Sequence, residues 1–134
     1  MPRQLPNENR GRIPKMSITY LRNFLEKKPD ILIAILFGSA TRRNLVRDLD
    51  IGMHFKKKPD LMEICKLIVE LEDLTGIPVD LIPLDEAPPE LLQKIISQGI
   101  IVTIKDARLP SELTKKALAE IMDTRLKLRM NLIK

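Results

Sequence analysis

Asp48 and Asp50 stand two residues apart at the head of an apolar run, and a third carboxylate, Asp80, stands near the start of another, Val79–Leu84 (VDLIPL). In an extended segment a spacing of two puts both side chains on one face. Carboxylates that close repel each other at neutral pH, so either one takes up a proton or a cation sits between them. Hard divalent ions such as Mg²⁺ are held this way, usually together with substrate phosphates. Two such ions about 4 Å apart suit an in-line attack on phosphorus. An Asp-x-Asp pair is also ordinary turn chemistry at a strand edge. Asp80 weighs against that simpler reading, because a charge within an apolar run is costly unless it is paired or metal-bound.

The elements that must position these groups are legible around them. Ile31–Phe37 (ILIAILF) is bounded by Pro29-Asp30 and Gly38-Ser39 and reads as a buried strand. Gly38 allows a sharp exit and a close approach of ligand to backbone. Ser39 opens a turn or short helix whose free N–H groups, with the hydroxyl, can receive an anion. The short link to Asp48 favours antiparallel pairing of the two strands. A helical segment between Asp50 and Asp80 makes a crossover, so those two strands are expected to be parallel. Gly38, Ser39, Asp48, Asp50 and Asp80 can then meet at one end of a sheet. Arg42, Arg43 and Arg47 lie in the loop between Ser39 and Asp48. They are either a solvated basic turn or a set of guanidinium forks that neutralise a triphosphate.

The stretch LFGSATRRNLVRDLDIGMHF, followed by VDLIPL, resembles the minimal nucleotidyltransferase (MNT) branch of the DNA polymerase β-like nucleotidyltransferases. The shared pattern is a Gly-Ser, a spacer, an Asp-x-Asp and a third acidic residue on a later strand. Asp85–Lys105 resembles the family's closing helix, Gly-turn and strand. The spacer Ala40–Arg47 is eight residues here, shorter than is usual in that branch. The resemblance implies an α/β (α+β) fold, a small mixed sheet flanked by helices, and Mg²⁺-dependent transfer of a nucleoside monophosphate from an NTP. By position, Gly38, Ser39, Arg42 and Arg43 would bind the nucleotide, ATP. Asp48, Asp50 and Asp80 would be the catalytic carboxylates and the ligands of two Mg²⁺ ions, Asp80 also helping to activate the attacking hydroxyl. MNT proteins of this size commonly pair with a HEPN-type toxin, for which they act as antitoxin.

The chain has 134 residues, enough for one domain with a real core. It has no Trp and few aromatics, so aliphatic side chains must fill that core. The net charge of +5 is uneven: residues 1–16 and 111–134 each carry +3, whereas residues 17–110 carry −1. A near-neutral middle argues against nucleic acid as the main target. One cysteine, Cys65, excludes an internal disulfide and fits a reducing compartment. It is read as a buried, inert thiol. No signal peptide or membrane-spanning run is present, and a cytoplasmic protein is expected.

Three segments follow: a flexible basic tail over 1–16, a nucleotidyltransferase core over 17–110, and a long C-terminal helix over 111–134. Ser17 is expected to cap a helix that Pro29 ends, with Ile18, Leu21 and Leu25 on one face. Asp60 should cap a helix to about Thr75, with Leu61, Ile64, Cys65, Ile68 and Leu71 turned inward and Gly76 as its stop. Pro88-Pro89 should open a helix through Gln98, followed by a strand at Ile100–Ile104. His54, the only histidine, is read as a surface or edge residue. Leu109-Pro110 is read as a joint before the last helix. Leu118, Met122, Leu126 and Ile133 form one stripe of that helix; Ala117, Ile121, Leu128 and Leu132 form another. The band packs on the parent core or meets a partner, either the HEPN-type protein or a second copy of the chain.

Three functions are compatible with these residues. The first is an enzyme that adenylylates a hydroxyl on a protein partner. The second is a binding module that neutralises its partner by covering it. The third is nucleotidyl transfer to a small molecule or RNA.

Overall fold

The computed structural model describes residues 15–38 and 48–133. In chain order these form α1 (Lys15–Glu26), β1 (Ile31–Phe37), β2 (Leu49–Phe55), α2 (Leu61–Thr75), β3 (Val79–Pro83), a 3-10 turn (Leu84–Glu86), α3 (Pro89–Gln98), β4 (Ile100–Ile104) and α4 (Leu109–Ile133). The expected tail lies outside the described residues except for Lys15 and Met16, which open α1. Ser17 is therefore inside that helix rather than at its cap.

The four strands make one mixed sheet in the order β3-β2-β1-β4. β1 runs antiparallel to β2, as their short link requires, and antiparallel to β4 on its other side. α2 provides the crossover that lets β3 run parallel to β2. The strands alternate, so each face of the sheet buries its own apolar set. One face carries Leu36, Leu49, Ile51, Met53, Val79 and Leu81 under α1 and α2. The other carries Ile33 and Ile35 beneath α3 and the first half of α4, which contribute Leu92, Ile95, Leu113 and Ala117.

α2 begins as its sequence dictates. Asp60 accepts from the Glu63 N–H while the Glu63 carboxylate accepts from the Asp60 N–H, a reciprocal capping box. It ends at Gly76, whose φ of 77° is left-handed. Its inward face differs from the expected one. Leu67 and Leu71 are buried, with Ile64 and Ile68 packed against the core, but Leu61 is 79% exposed and Cys65 is exposed too. Cys65 is one residue past Ile64, about 100° round the helix, so the stripe that faces the sheet passes it by. Leu61 stands in the first turn, beyond the reach of the sheet.

Two other boundaries move. Leu84 leaves β3 and starts the 3-10 turn, where it is fully buried in the second core. Leu109 and Pro110 are not a joint but the first turn of α4, a position where proline forfeits no helical hydrogen bond.

Long-range side-chain contacts close the edges. β4 slips one residue in its register with β1, leaving Val102 as the extra residue. The Val102 carbonyl accepts from Arg22 Nε at 2.9 Å, which ties α1 to this edge strand. Lys105 Nζ donates to the Leu25 carbonyl at 3.0 Å and to that of Lys28, sealing the end of α1. Burial holds the Lys105 ammonium below the ordinary lysine value, against the opposing pull of Glu26 and Asp30. Among the described residues no helix is long and apolar enough to cross a membrane.

Candidate active site

Strand register decides where the acidic residues fall. Asp50 is the second residue of β2, opposite Phe37 at the end of β1 and opposite Asp80 near the start of β3. Residues in register on neighbouring strands project to the same face, so Asp50 and Asp80 share one face at one end of the sheet. Asp48 stands just ahead of β2, in a bend rather than in the strand, and is exposed. Gly38, directly after β1, reaches the same end.

Two backbone clamps set this rim. The Leu49 N–H donates to the Pro78 carbonyl at 2.8 Å, which starts β2 and β3 side by side. One residue before Asp80, the Val79 N–H donates to Glu72 Oε2 at 2.9 Å. Glu72 lies in the last turn of α2, where the helix dipole disfavours a carboxylate. That misplaced charge is the one trace of the clamp in the sequence. Thr75 Oγ1, which donates to the Leu71 carbonyl at 2.8 Å, further fixes the link into β3.

Gly38 has a φ of 72°, a conformation other residues rarely adopt. A Cβ at this position would run into Asp50 Oδ2 and sit 3.3 Å from Asp50 Cγ. Glycine thus lets the backbone at the end of β1 pass directly beside the Asp50 carboxylate.

The Asp50 carboxyl is held above the usual carboxylate range, first by burial, then by the negative charge of Asp80, then by that of Asp48. Asp48 and Asp80 thus both bear on Asp50. None of them is in an ion pair with a described residue. Among the described residues no three His, Cys, Asp or Glu side chains are gathered closely enough to hold a metal ion by themselves. Mg²⁺ ordinarily takes only one or two carboxylates and completes its octahedron with water and substrate phosphates. The oxygen donors at this rim fit an ion that arrives with a triphosphate, not a cage formed in advance. Ser39, Arg42, Arg43 and Arg47 lie outside the described residues.

His54 lies near the end of β2, paired with Ile33 of β1 one residue beyond the last pair with β3, and is half-buried. Its Nδ1 is buried without a hydrogen-bond partner among the described residues. With Lys58, Pro83, Asp85 and Glu86 it borders a small cavity of about 70 Å³ at the end of β2 opposite Asp50.

Comparison with known proteins agrees with this fold. The family model "Polymerase beta, Nucleotidyltransferase" matches residues 20–108. No curated protein matches the chain by sequence. Among solved structures, the toxin–antitoxin complex MntA–HepT contains a chain 18% identical over 89% of this chain and 96% of its own, with a TM-score of 0.69. A toxin–antitoxin structure with AMP-PNP gives 19% identity, coverage of 86% and 94%, and a TM-score of 0.71. The complex of a tri-AMPylated Shewanella oneidensis HEPN toxin with its MNT antitoxin gives 18%, 88% and 94%, and 0.69. At these identities the likeness is one of fold.

Proposed function

Because this chain belongs to the polymerase β nucleotidyltransferase family, we propose that it transfers AMP from ATP to a hydroxyl group on a protein partner, a HEPN-type toxin that it thereby silences. The carrying observation is the register that sets Asp50 against Asp80 beside the glycine at the end of β1. Structural relatives add direction: one is from a toxin–antitoxin structure with AMP-PNP, and another is from the complex of a tri-AMPylated HEPN toxin with MNT antitoxin.

Asp48, Asp50 and Asp80 are the proposed ligands of Mg²⁺, which when bound would neutralise phosphate charge and favour displacement at phosphorus. The backbone at Gly38 leaves room for the triphosphate next to Asp50, with Ser39, Arg42 and Arg43 as its proposed further contacts. The acceptor hydroxyl oxygen bonds to the α-phosphorus as the bond to the pyrophosphate oxygen breaks. Asp80, exposed at the rim, accepts the hydroxyl proton, directly or through water. The raised Asp50 pKa of the free protein would be opposed by a bound cation, whose positive charge favours the carboxylate form.

The test is transfer of label from α-labelled ATP to a HEPN-type partner in Mg²⁺. Label should appear on the partner with the intact protein and not with Asp48→Asn/Asp50→Asn. Full neutralisation of the partner by that double variant would instead establish silencing by occlusion.

A further inference from the structure

α4 belongs to the fold for only half its length. Leu109, Leu113, Ala117 and Ile121 are buried, and no side chain over 122–132 is. The remaining turns extend about 18 Å at 1.5 Å per residue, yet they are not polar. Met122 is 69% exposed, Leu126 57%, Leu128 59% and Leu132 85%. Along them runs an open groove of about 710 Å³, whose described lining is Ala119, Met122, Asp123, Arg125, Leu126 and Arg129.

The charges on this face identify what fits it. By helical spacing Arg125 and Arg129 share a face, one turn apart, and fall between the Ile121–Leu128–Leu132 stripe and the Leu118–Met122–Leu126 stripe. Neither guanidinium has an ion-pair partner among the described residues. Asp123, at the rim of the groove, already holds Lys127 at 3.1 Å. Guanidiniums in an apolar band can be covered only by something that brings carboxylates to them, since an unpaired buried charge is strongly unfavourable.

We infer that the outer half of α4 is a docking face for an α-helix of another protein, one whose apolar stripe carries carboxylates a turn apart that meet Arg125 and Arg129. A second copy of this chain is the poorer occupant. It would set arginine against arginine, and Glu120 lies on the far side of the helix. A membrane surface is poorer too, because interfacial helices carry their cations on the polar face rather than between apolar stripes. The inference rests on the protein-partner reading above and gives that partner a contact surface distant in chemistry from the acidic rim.

Binding of fluorescent amphipathic helical peptides to the full chain tests it. The probes share one leucine stripe and differ in a single pair at i and i+4, either Glu/Glu or Lys/Lys. The Glu peptide should bind at least tenfold tighter than the Lys peptide. Arg125→Glu/Arg129→Glu should reverse that order while the circular dichroism of the protein stays unchanged. Equal binding of both peptides overturns the inference. So does a dimer in sedimentation that Leu126→Glu dissociates, or binding to phosphatidylserine vesicles that the peptides do not compete. AMP transfer by the wild-type protein can survive any of these results, so loss of the docking face and loss of the proposed reaction are read separately.

Discussion

The acidic rim of the sheet and the outer half of α4 are both places where the isolated chain tolerates something unfavourable, and they differ in kind. At the rim the cost is electrostatic: Asp50 feels the charges of Asp80 and Asp48, and no described cation forms an ion pair with it. On α4 the cost is hydrophobic: leucines and methionines stand in water around two arginines. The rim is tightly placed, held by strand register, a positive-φ glycine and the Glu72 clamp. The outer helix buries no side chain over 122–132 and carries only the Asp123–Lys127 pair along its own surface. Tight placement suits chemistry that needs atoms within fractions of an ångström, whereas an open apolar face suits a macromolecule that supplies the missing half of a core. Substitutions at the two regions should therefore behave in opposite ways.

The largest effect is expected at the rim. Asp48→Asn/Asp50→Asn should lower AMP transfer on the order of 10³-fold, the loss of several kcal/mol of charge stabilisation, as single-turnover rates with labelled ATP would reveal. Gly38→Ala should cost about 1–2 kcal/mol in urea unfolding, because φ is positive there, and it should also impair nucleotide binding by displacing the Asp50 carboxylate. Glu72→Ala should cost roughly 1 kcal/mol by leaving the Val79 N–H without its acceptor. It should weaken Mg²⁺–ATP binding as well, although Glu72 touches neither ligand. A Glu72→Ala variant with lowered stability but unchanged nucleotide affinity would show that the clamp serves the fold alone.

The rim also has a signature in pH. The folded Asp50 pKa is raised, so the protonated carboxyl is the form the fold prefers. Ionisation as pH climbs from the unfolded value through the folded one removes stability. Without metal, Asp50→Asn should therefore melt above wild type at pH 7, the gap closing in acid. Identical melting curves at both pH values would mean that the three charges do not burden the fold. At the bottom of the scale, Leu132→Ser on α4 should change unfolding free energy by no more than about 0.5 kcal/mol, as for exposed sites generally.

Much of the fold was legible because local rules agreed with the global ones. Asp60 and Gly76 bound α2, Pro89 opens α3, and a short link against a helical crossover implied one antiparallel and one parallel pairing. From those pairings the meeting of Gly38, Asp50 and Asp80 followed. Ser39, Arg42 and Arg43 fall outside the described residues, so their proposed part in the site stands on sequence alone. What escaped was of two sorts. Helix phase is ambiguous when apolar residues crowd both sides of a stripe, which is why Cys65 and Leu61 were turned inward when Leu67 is the buried residue. Contacts between residues distant in sequence leave no periodic signal: Arg22 on Val102 and Lys105 on the end of α1 depend on how the layers close. Leu84 looked like a strand residue, and only the packing of the second core shows why the chain turns there.

The proposed role of the rim is most directly tested by calorimetry of the protein with AMP-PNP, with and without Mg²⁺. Binding should require the cation, vanish in EDTA, and be lost in Asp48→Asn/Asp50→Asn while that variant stays folded. Equal affinity in EDTA, or in the folded double variant, would contradict a rim at which these carboxylates and a triphosphate share magnesium.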